Sequence, residues 1–484
     1  MFRYENLSFT IKIEIMNEYN KSSNTKDTIR GAANWYKTGS LAVILSLVFL
    51  LSCSSSTDSG SDFPPIDGFE ASLGSETVLV EKEVVTAALT DVDEENFVYT
   101  FNSDLLSDGG INFREGEIML LANKALRRVT SVTESSGQVT VETEFAALNE
   151  AFENAVIEKS QYFDFRNLQA DKIFIEYDGK LLPANVRAKS DEGQSKWEYK
   201  FGDITVEGTL NTGDDEAKIA LLVKYDTGNV SGAMLSELTI KGFENDTQIR
   251  ITDHETESFR FNNRGIEGTL DMQFVFAGGN SQEETWAPPM PAIIIPFAVG
   301  IVPFTFRIGP NYVFKLDLGV DGSAQLETSF SFGGGMGVQV EGTNFTPILD
   351  GGIRDPSREQ AVGNAAGFGG TVTGQYGIAL PSISLRAFGE AIVPYLNQEF
   401  YLGASYTFPT CTKMWSRYEI NAGVAMKMLG LVNLNFSQNL VKKDMLDSRS
   451  DGCPQNKLAD DIPLIYISDY YSESNYSVPS FNIW

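Results

Sequence analysis

Histidine is nearly missing from this chain, with His254 the one instance in 484 residues. A single imidazole excludes every zinc or iron centre built on two or more histidines. It also leaves any Ser-His-Asp or Cys-His arrangement one possible base. That base lies in the acidic string Asp253-His254-Glu255-Thr256-Glu257, which reads as a solvated turn between strands. Neither a Gly-x-Ser-x-Gly elbow nor a phosphate-binding loop occurs. Gly333-Gly334-Gly335-Met336-Gly337 lies between two alternating runs with no helical pattern after it, so a hairpin turn or a curved strand is expected there.

Basic residues are also few, 37 Lys and Arg against 65 Asp and Glu. So acidic a surface repels nucleic-acid phosphate and anionic headgroups, which removes nucleic acid from the expected partners. Two acid clusters, Asp91-Val92-Asp93-Glu94-Glu95 and Asp214-Asp215-Glu216, lack the spacing and glycine of an EF-hand and read as solvated turns. No cofactor or metal site is expected. Carboxylates are too numerous for their abundance to single out a glycosidase pair.

Long apolar runs are scarce, and the first has a specific context. Leu41 to Leu51 reads LAVILSLVFLL, preceded by Arg30 and Lys37, the charge-then-apolar order of a secretory signal. Eleven residues are too few for a membrane-spanning helix. Leu50-Leu51-Ser52-Cys53 follows directly, and it resembles the lipobox of bacterial lipoproteins. The resemblance implies cleavage before Cys53 and fatty acylation, of palmitate type, on its sulfur. The competing reading is a short uncleaved anchor helix. Some forty residues precede the apolar run, longer than a usual n-region, and Met16 is an alternative start.

Residues 1–52 are then a signal peptide, and 53–75 a flexible tether opening on the polar string Ser54 to Asp62. Ser54 after the cysteine resembles lipoproteins sent to an outer membrane; Asp58 and Asp62 resemble surface-export signals of Bacteroidota. The expected location is the outer membrane, lipid-anchored on its periplasmic face or at the cell surface. Removing the leader leaves 31 bases and 61 acids, a net charge of −30. With Cys53 lipidated, Cys411 and Cys453 are an even pair in an oxidising compartment, and a disulfide is expected. Two separate buried thiols are the alternative.

From Thr77 onward the dominant period is two. Leu126 to Thr133 and Gln138 to Phe145 read as a hairpin across Glu134-Ser135-Ser136-Gly137, and Ala146 to Glu158 then takes a helical period. Together they suggest a small α+β module over 76–160. Residues 161–284 read as an antiparallel β domain, a meander of eight short runs from Ile173. Asn280 to Pro289 breaks the composition and opens a Gly-rich β domain over 285–484. It begins with the uncharged Met290 to Phe306, in which Pro291, Pro296 and Pro303 oppose a helix and favour an extended core strand. The stretch Ile462 to Trp484 is expected to pack as a terminal strand or loop. The fold class is therefore mostly β: several antiparallel sheets or a sandwich, with one small α+β module.

The function expected is a non-catalytic, lipid-anchored envelope or cell-surface protein with a binding or scaffolding role. Its membrane contact would be the lipid on Cys53, its ligand a protein or a glycan. Two other readings stand beside it: a membrane-inserting β-barrel or pore component, and a carbohydrate-active enzyme on a β-sandwich.

Overall fold

The structure is a computed structural model. It describes residues 67–94, 96–165, 173–177, 180–183, 187–188, 194–213, 216–226, 228, 230–278, 282–287, 290–318, 321–365, 371–407, 409–430, 435–450 and 452–453, all within the unit Phe63–Trp484. Three sheets, almost wholly antiparallel, make up these residues, and the mostly-β class is what they form.

The smallest sheet has six strands, in the order Thr77–Val80, Ile118–Leu121, Ala125–Ser135, Gln138–Phe145, Val98–Asn102 and Leu89–Asp93. The expected hairpin is present, with Ser135 opposite Gln138. Ser136 and Gly137 turn it at φ of 53° and 78°, the two positive values that a two-residue turn of matching twist demands. Two short helices, Lys82–Ala88 and Ser103–Asp108, lie in the connections, the second capped by the Asn102 side chain accepting from the Leu105 amide. Val80, Tyr99, Phe101, Leu121 and Val141 form a core of their own beneath this sheet.

Helical period does not survive beyond one turn in Ala146 to Glu158. Leu148–Ala151 is helical, held by the Glu150 carboxylate accepting from the Ala147 amide, and the chain then extends as Phe152–Phe163. That strand pairs along one edge with Asp67–Leu73 and along the other with Phe243–Thr252. Two ladders together with burial of Phe152, Ala155 and Ile157 outweigh a weak local helix preference.

The eleven-stranded sheet runs Asp67–Leu73, Phe152–Phe163, Phe243–Thr252, Glu255–Gly278, Val230–Lys241, Glu216–Asp226, Ile204–Gly213, Gln194–Phe201, Arg187–Ala188. Gly322–Glu341 adds along the free edge of Glu255–Gly278, and Asn344–Ala365 follows it. The nine-stranded sheet runs Lys180–Pro183, Ile173–Tyr177, Pro291–Val299, Val302–Leu318, Thr371–Ala387, Glu390–Thr407, Cys411–Ala425, Asn435–Arg449, with Gln282–Trp286 also on Val302–Leu318.

The boundary expected at 284–285 does not separate two cores. Ile173–Tyr177 crosses to pair with Pro291–Val299, Gly322–Glu341 returns to the meander, and both large sheets contribute to one apolar core. Each sheet has an apolar face too wide to bury alone, so the two cover each other. Met290 to Phe306 is likewise two strands rather than one, turned at Gly300 with φ of 60°. The glycine run at 333–337 is the curved strand: Gly334 takes φ of 132°, and a Cβ there would lie 1.8 Å from the Asp350 carbonyl oxygen. Only glycine permits that approach.

Candidate functional site

Antiparallel partners project to the same face, so the ladders define a row of side chains across the inner surface of the eleven-stranded sheet. Trp197 faces Gly208, Gly208 faces Leu221, Leu221 faces Ser236, Ser236 faces Met272, and Met272 faces Thr328. The Trp197 indole lies over Gly208, where a Cβ would come within 2.1 Å of the ring. Trp197, Ser236 and Thr328 are buried in an otherwise apolar layer. Trp197 Nε1, Ser236 Oγ and Thr328 Oγ1 have no hydrogen-bond partner among the described residues. A buried polar atom left in that state costs about 1–3 kcal/mol, and with strands about 4.8 Å apart the three are too widely spaced for one group to meet them all.

Beside this row the two large sheets separate around a cavity. The eleven-stranded sheet lines it with Trp197, Leu210, Ile219, Leu238 and Ile240; the nine-stranded sheet adds Ile293, Ile308, Pro310 and Leu380. Leu238 is two residues along the strand from Ser236, so cavity and polar row adjoin. The walls are almost entirely apolar and the free space is about 30 Å³. As it stands the cavity is partly open and narrow, with room for about one water between its walls.

No protein-family model, no curated protein and no solved structure matches this chain. Its site therefore has to be read from its own chemistry.

The residues singled out in the sequence fall elsewhere. Cys53 lies outside the described residues, as do Asp214 and Asp215, Glu95, and the stretch from Ile462. Cys411 and Cys453 are joined in a disulfide with 4.4 Å between their Cα atoms, tying the start of Cys411–Ala425 to the end of the following strand. His254 sits in the turn between Phe243–Thr252 and Glu255–Gly278, exposed, with φ of 63°. Its ring Nδ1 is 3.0 Å from the Asn149 carbonyl oxygen, its amide donates to the Glu153 carbonyl, and the Asn149 side chain donates to the His254 carbonyl. Those contacts clasp the turn to the one-turn helix. Asp93 accepts from Asn96 through both carboxylate oxygens, a turn-capping arrangement.

A second polar cluster lies on the other face of the nine-stranded sheet. Alternation along Glu390–Thr407 sends Phe400 and Leu402 into the shared core and Asn397, Glu399 and Tyr401 to the opposite side, where they are buried all the same. Asn397 faces Asn421, and Glu399 faces Glu419. Burial pushes the Glu399 carboxyl above the usual carboxylate range, and the Glu419 carboxylate pushes the same way. Hydrogen bonds from Tyr401, Asn397 and Asn421 pull it back. Sequence pattern pointed to neither cluster: Ser236 on the inner face and Asn397 on the outer face of its sheet occupy positions that a period of two marks as strand, without saying what covers them.

Proposed function

We propose that this protein is an envelope lipoprotein, held to an outer membrane by lipid on Cys53, that binds an apolar ligand bearing a polar group between its two large sheets. The observation that carries the binding role is the apolar cavity lined by Trp197, whose buried indole N–H has no hydrogen-bond partner among the described residues, with the unpartnered Ser236 hydroxyl two residues from the lining Leu238. Ligand sites are commonly apolar clefts in which a few polar groups set orientation. An acyl or isoprenoid chain suits the walls, and a hydroxyl or carbonyl suits the Trp197 indole N–H. The lipobox at Leu50 to Cys53 supports the address.

Replacing Cys53 by Ala should move the protein from the membrane to a soluble fraction and abolish fatty-acid labelling. Retention in the membrane fraction would turn the apolar run into an uncleaved anchor. Binding is tested separately with a fluorescent polyene fatty acid on the purified protein. Wild type should take it up saturably, Leu238→Trp should weaken uptake by at least about tenfold by filling the cavity, and Ser236→Ala should weaken it several-fold. No uptake, or uptake indifferent to both substitutions, would remove the ligand from this account.

The pore reading is less well supported. A transmembrane barrel presents apolar residues to lipid along every strand. Among the described residues the exposed large hydrophobics are Leu105, Val132, Tyr162 and Leu349, dispersed over separate elements. For the glycosidase reading, the ladders bring several carboxylates face to face, among them Glu237 with Asp271 and the buried, hydrogen-bonded Glu399 with Glu419, and the lining of the cavity described above includes neither pair.

A further inference from the structure

Three neighbouring strands of the nine-stranded sheet bring five oxygen-bearing side chains together: Asn397 and Glu399, Glu419 and Asn421, and Asn439. Asn397, Glu399 and Glu419 are 3%, 2% and 4% exposed. The contacts among them all run from amide to carboxylate or carbonyl. Asn397 Nδ2 donates to Glu399 Oε1 at 3.1 Å and Asn421 Nδ2 to Glu399 Oε2 at 2.8 Å. Asn439 Nδ2 donates to Glu419 Oε2 at 3.0 Å and to Asn421 Oδ1 at 2.8 Å, while Asn421 Nδ2 lies 3.4 Å from Glu419 Oε2. The Tyr401 hydroxyl also donates to Glu399.

Two facts do not fit a self-contained network. Asn397 Oδ1, on the amide whose Nδ2 bonds Glu399, has no hydrogen-bond partner among the described residues although its residue is almost fully buried. Glu419 Oε1 has none either, and the cations nearest it, Lys442 Nζ and Arg417 Nη1, stand off at 3.9 Å. Arg417 is already bonded to Asp444 at 2.6 Å, and Lys442 is half-exposed, free to turn to solvent. The two facing carboxylates thus share two cations at the outer limit of ion pairing, one of them engaged with Asp444 as well.

We propose that Asn397, Glu399, Glu419 and Asn421 form a binding site for a calcium-like divalent cation. Hard cations of this size take six to eight oxygens from carboxylates and amide carbonyls. Glu399 and Glu419, facing each other across the ladder, offer four carboxylate oxygens. Turning the Asn397 and Asn421 amides about their last bond exchanges NH₂ for carbonyl oxygen and brings the total to about six. Magnesium is disfavoured, since it keeps its waters and demands a near-ideal octahedron.

The test is terbium luminescence on the purified full chain in detergent after chelator treatment, excited through aromatic side chains, of which Tyr401 is bonded to the site. Emission should saturate at one ion per chain and be displaced by calcium but not by equimolar magnesium. Glu419→Gln and Asn397→Leu should each weaken binding by at least about tenfold. Calcium should also raise the thermal midpoint of wild type and leave that of Glu419→Gln unmoved, which separates ligation from a folding defect. Absence of saturable emission, or binding unchanged in both variants, would overturn the proposal.

Discussion

Phe306→Ala should cost about 3–5 kcal/mol of folding stability, read as a lowered urea midpoint with an unchanged slope. Phe306 is fully buried and belongs to the nine-stranded sheet, but its ring meets the other sheet. It lies 4.3 Å from Phe163, 5.9 Å from Phe261 and 6.3 Å from Phe243, centroid to centroid. Truncation removes those ring contacts and opens a void where the sheets are fastened together. An acid at Ile294 is a weaker probe of the same segment. Ile294 faces Arg307 across the ladder, and that guanidinium would meet an introduced carboxylate. Were Met290 to Phe306 instead a membrane-inserting element, Phe306→Ala would leave the midpoint in place and reduce leakage from liposomes by unlipidated protein.

Cys453→Ser should lower stability by about 3–4 kcal/mol under oxidising conditions and by nothing further under reducing ones. The bridge closes a loop with a sequence separation of 42 residues, and in the chain-entropy view its effect is to restrict the unfolded ensemble. Native packing gives the comparison a control. Cys453 lies beyond the last ladder pairs of Asn435–Arg449, where Ser450 still bonds Thr410 and Thr412. Loss of the sulfur link therefore leaves the hairpin able to form. A midpoint equal to wild type under both conditions would show that the unfolded chain is already restricted there by residual structure.

Much of the architecture was legible because a strand leaves a local mark. Glu198 and Lys200 against Trp197, Tyr199 and Phe201 show the wet and dry faces of one strand, and Gly137 marks the hairpin turn of another pair by the positive φ it tolerates. The pair of Cys411 and Cys453 followed from the count left after Cys53. Pairing partners left no such mark. Ala146 to Glu158 reads as helix until two ladders compete for the backbone from Phe152 onward, and Ile173–Tyr177 carries nothing that assigns it to a strand beginning at Pro291.

The candidate sites stand at the far end of the same gradient. Composition and period alone settle a mostly-β chain and the absence of multi-histidine chemistry, since these depend on residues one or two apart or on a count. Whether Ser236 lies beside a cavity, or Glu399 meets Glu419 under cover, depends on which strands become neighbours and on what closes each face. Those are contacts between residues distant in sequence, chosen by total burial and hydrogen-bond satisfaction over both large sheets, and only the tertiary structure decides them.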